Sequence, residues 1–224
     1  MTAEPTRLIV FDWDGTLMDS EARIVACLQA AIRETGLEPR SEDQLRNIIG
    51  LGLREALMTL YPDGSQAQWD ALVHHYRHHF LERDDTPSRL FAGAEELIRN
   101  LYAQGHFLAI ATGKGRQGLD KVLEETGLKD CFHATRCADE SFSKPHPAML
   151  LDILDRLGVE ADDALMVGDT EYDLLMARNA GVPALGVTYG VHDRERLLRC
   201  QPLDLVDSLP AVGTWLDGWL SHAA

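Results

Sequence analysis

From about residue 91 onward one unit recurs: a helical period, a glycine stop, a short apolar strand and a polar loop. "GAEELIRNLYAQG" ends at Gly105 and "HFLAIAT" follows; "RQGLDKVLEETG" ends at Gly127 and "CFHATRC" follows. "PAMLLDILDRLG" ends at Gly158 before "DALMVGD", and "EYDLLMARNAG" ends at Gly181 before "PALGVTY". Glycine just past a helix is the expected left-handed C-terminal cap. Strands of continuous apolar character that alternate with helices form a parallel sheet covered on both faces. Right-handed crossovers then make the sheet doubly wound. An α/β fold with "RLIVF" as its first strand is the expectation.

Between Glu21 and about Asp85 the texture changes. No buried strand is readable there, and helical periods dominate. "ARIVACLQAAIRETG" stops at Gly36, "SEDQ" (Ser41 to Gln44) is a capping-box signature, and "LREALMTLY" and "QWDALVHHYRHHFLE" complete about four helices. Such a block, interrupting the pattern directly after its first strand, reads as an inserted all-helical cap over residues 19–86. The core domain is then 1–18 and 87–224, with "RDDTPSRLF" as the return linker and Pro87 breaking the last cap helix.

At 224 residues the chain can bury an apolar core without staples. A formal charge of −15 argues against nucleic acid or an anionic membrane as partner, since phosphate binding wants a basic surface. A small phosphorylated metabolite stays open, because one metal or lysine reverses the field inside a pocket. Cys27, Cys131, Cys137 and Cys200 show no C-x-x-C spacing, which suits reduced thiols. The first residues, MTAEPTRLIV, lack the basic and apolar regions of a signal peptide, and no stretch is apolar enough to span a membrane. A cytoplasmic monomer or homodimer is expected.

In open parallel sheets ligands bind at the C-terminal ends of the strands. Asp12 and Asp14 follow the first strand; Thr112 and Gly113 follow "FLAIA"; Asp169 follows "ALMVG", with Asp173 four residues on. Lys144 stands in the loop "SFSKPHP". Four carboxylates, a hydroxyl and an ammonium thus converge on one rim. Two carboxylates about 4 Å apart repel by about 4 kcal/mol at an effective dielectric of 20, so the cluster calls for a cation. Oxygen-only ligation points to Mg²⁺, which seeks phosphate oxygens in turn. Lys144, Thr112 and amides near Gly113 can hold the remaining ones, and the chemistry indicated is phosphoryl transfer.

"DWDGT", the "AIAT" threonine, the "SKP" lysine and "GDTEYD" resemble, in kind, order and spacing, the four motifs of the haloacid dehalogenase superfamily. The resemblance covers essentially the whole chain, and its helical cap and "IIGLGLREAL" segment are similar to the phosphoglycolate-phosphatase-like group. It implies a Rossmann-like core and a Mg²⁺-dependent phosphatase that hydrolyses a small phosphomonoester, phosphoglycolate or similar, through a phosphoaspartate. Asp12 would be the nucleophile, and Asp14 the acid that protonates the leaving alkoxide and then the base that activates water. Thr112, Gly113 and Lys144 would hold the phosphoryl group. Asp12, the backbone carbonyl of Asp14, and Asp169 would bind Mg²⁺, with Asp173 acting through water or by orienting Lys144. Dehalogenase members lack the second acid, because a halide leaves without a proton. Thr16 is typical of phosphatases, where related sugar phosphomutases often carry valine. A β-phosphoglucomutase-like isomerase and a catalytically idle phosphate-binding module are the alternatives.

Other features have plainer expected roles. His74, His75, His78 and His79 share a cap helix at i, i+4 spacing without a carboxylate as in H-E-x-x-H, and read as a solvated face. "TGKG" is no phosphate-binding loop: Leu108 replaces its first glycine, and Gly115 its Ser or Thr. Lys114 is expected at the pocket entrance. Arg54 resembles a cap arginine that grips substrate in related phosphomutases, although Leu53 replaces the serine of that pattern. His146 and Trp13 read as structural, Trp13 packing beneath the site.

Overall fold

The computed structural model describes residues 7–221. Residues 1–6, part of the stretch on which the absence of a leader is read, lie outside the described residues, as do 222–224.

"LIVF" forms β1 (Leu8–Phe11), buried on both faces as its uninterrupted apolar run requires. It lies between β4 (Phe107–Thr112) and β6 (Ala164–Gly168), parallel to both, with Phe11 level with Ile110 and Val167. Outside them run β5 (Ala134–Cys137), β7 (Ala184–Val187) and β8 (Asp204–Val206), giving the order β5-β4-β1-β6-β7-β8. The chain builds outward from β1 in one direction through β4 and β5, then returns and builds the other way through β6. The strand order reverses between β1 and β6, which is where such sheets bind ligands.

Period-two alternation divides the core. Ile9, Phe11 and Trp13 enter the apolar cluster with α5 (Ala94–Ala103), α6 (Arg116–Thr126) and α10 (Leu209–Ser221). Leu8 and Val10 enter the cluster on the other face, with α7 (Ala148–Leu157), α8 (Glu171–Ala180) and α9 (Arg194–Leu198). The sheet is therefore doubly wound, as the alternating pattern predicts.

The stretch after Asp19 is helical: α1 (Glu21–Thr35), α2 (Glu42–Asn47), α3 (Leu53–Leu60) and α4 (Gln66–His78), the last continuing as a π-helical turn over His79–Arg83. Ser41 and Gln44 close the capping box read from "SEDQ". Ile24, Leu28, Leu45, Leu57, Leu72 and Phe80 form an apolar cluster apart from those of the sheet. The sequence gives no hint of β2 (Met18–Asp19) and β3 (Arg89–Leu90), two-residue strands paired antiparallel where the chain leaves and re-enters the core. The last cap helix ends at Arg83, four residues before the proline expected to break it.

Candidate active site

The site is built on the reversal point. Asp12 directly follows β1, its amide donating to the Val167 carbonyl at 2.9 Å, and Asp169 directly follows β6. Gly15 turns the chain with φ +82°; a Cβ there would stand 2.2 Å from Asp169 Oδ2, so glycine lets the second carboxylate approach the first loop. Thr16 Oγ1 donates to Asp169 Oδ1 at 2.8 Å and the Val191 amide to Oδ2 at 2.9 Å.

Lys144, fully buried, reaches in from the loop after β5. Its ammonium lies 2.9 Å from Asp12 Oδ1 and 2.5 Å from Asp173 Oδ1. Asp173 sits in the first turn of α8, where Thr170 binds its other oxygen through the hydroxyl at 2.6 Å and the amide at 3.1 Å. Thr170 and Asp173 form a reciprocal capping box, so the start of the helix fixes the carboxylate that fixes the lysine. Asp12 Oδ1 contacts Lys144 without the alignment of a hydrogen bond, and Oδ2 is buried with no donor among the described residues.

Burial dominates the electrostatics. It raises Asp12 well above the usual carboxylate range; Lys144 pulls it down, and the charges of Asp173 and Asp169 push it up again. Burial, then Asp173, pushes Asp169 up to about 7. Burial alone would depress Lys144, yet the charges of Asp12 and Asp173 raise it above an ordinary lysine. Oxygens of Asp12, Asp169 and Asp173 lie within 4.8 Å of one another. This is an oxygen-only donor set with excess negative charge and an orphaned carboxylate oxygen, and it fits a hard divalent cation.

Asp14 stands apart from that cluster. Its Oδ1 accepts from Ser20 Oγ at 2.5 Å and pairs with Lys114 Nζ at 3.0 Å. Lys114 also lies 4.4 Å from the centre of the Phe80 ring, which belongs to the helical block. Asp12, Asp14, Thr112, Gly113, Lys114 and Arg54 all line one cavity of about 710 Å³ between that block and the strand ends. Thr112 is buried and its Oγ1 accepts from the Lys114 amide at 3.2 Å.

The helical block closes directly over the rim. A Cβ on Gly113 would stand 2.4 Å from the Leu51 carbonyl and 2.6 Å from that of Gly50. The Gly52 amide donates to Ser143 Oγ at 2.7 Å, next to Lys144, and Tyr172 donates to the Asn47 carbonyl at 2.9 Å.

A model of the haloacid dehalogenase-like hydrolases matches residues 9–187. The chain belongs to this family. "Probable phosphatase IndB" of Dickeya dadantii is 36% identical over 92% of this chain and 91% of its own length. A phosphoglycolate phosphatase of Agrobacterium fabrum is 32% identical over 95% and 93%. The crystal structure of a hydrolase from Pseudomonas syringae superposes with a TM-score of 0.83 at 25% identity, covering 96% of this chain and 99% of the other.

Against the sequence reading of this family member, Asp12, Lys144, Asp169 and Asp173 meet in one buried network, and the Asp14 carboxylate lies beside it. Arg54 faces the cavity but is held by Asp70 at 2.9 Å. The histidine face differs from expectation: a carboxylate partner is present, contributed by another helix. Glu34 of α1 lies 2.6 Å from His75 and 3.1 Å from His79, and Glu82 lies 3.1 Å from His78. His146 has a local role, its Nδ1 accepting from the Ala148 amide at 3.2 Å. Trp13 is fully buried, donating to Met18 Sδ at 3.3 Å with its ring edge-on to Phe132. Sequence reasoning passed over Ser20 and Thr170 and understated Lys114. "TEYD" carried the capping-box signal for Thr170; nothing local marked the other two.

Proposed function

We propose that the chain is a Mg²⁺-dependent phosphatase that hydrolyses a small phosphomonoester through a phosphoaspartate on Asp12. The observation that carries the reading is Asp12 itself: buried, with one oxygen lacking any donor among the described residues, paired with Lys144, and facing a cavity that a second acid two residues on also lines. The names of the phosphatases to which the chain is similar support it.

In the first step an Asp12 oxygen attacks phosphorus as the bond to the ester oxygen breaks, and Asp14 gives its proton to the departing alkoxide. In the second, Asp14 takes a proton from water as the water oxygen attacks phosphorus, releasing Asp12 and inorganic phosphate. Lys144 offsets charge on Asp12 and the phosphoryl oxygens, and Asp173 holds Lys144 in place. Thr112 and the Gly113 amide hold phosphoryl oxygens. Asp12 and Asp169, with the Asp14 carbonyl and Asp173 near by, would hold the cation, which supplies charge neutralisation at the phosphoryl oxygens. Residues 19–86 act as a cap that excludes water during the first step and readmits it for the second.

Incubation with phosphomonoesters, with and without Mg²⁺, tests this by release of inorganic phosphate. Metal-dependent release that disappears in Asp12→Asn is the expected result. Release that survives this substitution would rule out the covalent route.

A further inference from the structure

The walls of the cavity describe the part of the substrate that is not phosphate. Glycolate, the alcohol of phosphoglycolate, has two carbons, one of them a carboxylate, and a site built for it needs a free cation beyond the phosphoryl site. Three cationic side chains line the cavity, and each is already neutralised. Arg54 is 2.9 Å from Asp70, Lys114 is 3.0 Å from Asp14, and Arg77 is 3.8 Å from Asp139. Glu55 and Asp12 also face the cavity, so its lining carries five carboxylates against three cations. A second anionic group would enter a negative field without a partner.

The remaining wall is apolar. Ile24 and Leu28 of α1, Ile48, Val73 and the rings of Tyr76 and Phe80 line it. The two rings stack on each other 5.8 Å apart at 19°, and Lys114 and Arg23 lie over the buried Phe80 ring. Tyr76 lines the cavity, and its hydroxyl has no hydrogen-bond partner among the described residues. About 710 Å³ is the volume of a site for an organic molecule of many heavy atoms, most of whose surface such a pocket buries.

Resting on the phosphatase reading above, we propose that the substrate is the phosphomonoester of a neutral, ring-bearing alcohol, its ring lying against the apolar wall beside Val73 and Tyr76 and its phosphate at Asp12.

Two isosteric phosphonates separate binding from turnover. In 3-phenylpropylphosphonate and 3-phosphonopropionate a methylene replaces the ester oxygen of 2-phenylethyl phosphate and phosphoglycolate respectively. Calorimetry with Mg²⁺ present is expected to show the phenyl compound binding at least about tenfold tighter. The corresponding esters, both with alkyl leaving groups, should follow the same order in kcat/KM. Val73→Arg, which adds a cation to the wall and fills space, should reduce the phenyl-to-carboxylate binding ratio by about tenfold or more. Equal or tighter binding of 3-phosphonopropionate overturns the proposal, as does an unchanged ratio in a folded Val73→Arg protein. Phenyl preference in binding without phosphate release from any ester supports the assignment of the wall and defeats the hydrolytic reading alone.

Discussion

Lys114 of the core stands 3.0 Å from Asp14 Oδ1 and 4.4 Å from the ring of Phe80 in the helical block, so one side chain joins the acid to the cover above it. Its side chain is almost wholly buried, which makes the pairing stronger than a surface ion pair. Lys114→Met keeps much of the packing and removes both charge contacts. Its kcat/KM on an alkyl phosphate is expected to fall roughly tenfold, the scale of one charge-assisted hydrogen bond. Phe80→Leu, which keeps an apolar side chain and the Lys114–Asp14 pair but removes the cation–π contact and the stack on Tyr76, should cost about threefold or less. Steady-state kinetics on the two variants check this; equal losses would place the effect in the cover alone.

The proposed mechanism assigns the proton chemistry to Asp14, and leaving-group dependence isolates it. An alkoxide needs a proton to depart, whereas nitrophenolate barely does. Asp14→Asn is therefore expected to reduce hydrolysis of an alkyl phosphate by about a hundredfold or more, and of p-nitrophenyl phosphate by an order of magnitude less. Equal loss on the two esters would remove Asp14 from the acid role. Ser20→Ala, which frees one side of the same carboxylate, should show a weaker version of the same pattern.

These side chains differ in how visible they are in the sequence. Each core strand announces itself by continuous apolar character, and ligand sites at strand ends follow from that, so Asp12, Thr112 and Asp169 are legible. Lys114 is not, because its partner lies about a hundred residues earlier and only the folded sheet joins them. Glu34 is hidden for the same reason: the histidines on α4 look unpartnered until α1 packs alongside them. β2 and β3 are too short to show any period, and exist only because the two ends of the helical insertion meet. Arg54 is the reverse case: a motif resemblance identifies its position at the cavity but not the nearby Asp70 that pairs with it.

The carboxylate cluster should weaken the metal-free protein as pH rises. Burial holds Asp169 at about 7 and Asp12 above its usual range, so the folded state binds their protons more tightly than the unfolded chain does. The slope of unfolding free energy with pH follows protons bound unfolded minus protons bound folded, and is negative here. This contribution is fully present below about pH 4, the unfolded carboxylate value, and is lost as pH rises to about 7. In a chelator, Tm is expected to be lower at pH 8 than at pH 6 by at least about 3 °C, given the usual 2–4 °C per kcal/mol at this size. Asp169→Asn should flatten the profile, and Mg²⁺ should restore more stability at pH 8 than at pH 6. A Tm in chelator that rises across this interval, with no flattening in the variant, would contradict the direction given for Asp169.

The closed arrangement over the rim depends on the absence of a side chain at Gly113. An added Cβ would stand 2.4 and 2.6 Å from two backbone carbonyls, Leu51 and Gly50, and neither can swing away as a side-chain tip could. Gly113→Ala must displace the 50–52 segment, and with it the Gly52 amide bonded to Ser143 beside Lys144. Gly113 lies in the loop after β4, outside the sheet, so global stability should change by about 1 kcal/mol or less. Turnover should suffer far more, by roughly ten- to a hundredfold in kcat/KM, because a displacement near 1 Å is enough to spoil alignment. Hydrogen exchange at the Gly52 amide gives a readout independent of activity: protection in the parent protein and faster exchange in the variant. A variant that keeps both protection and turnover would show that the contact between Gly113 and the 50–52 segment yields without consequence, and that closure is held by the Asn47–Tyr172 bond instead.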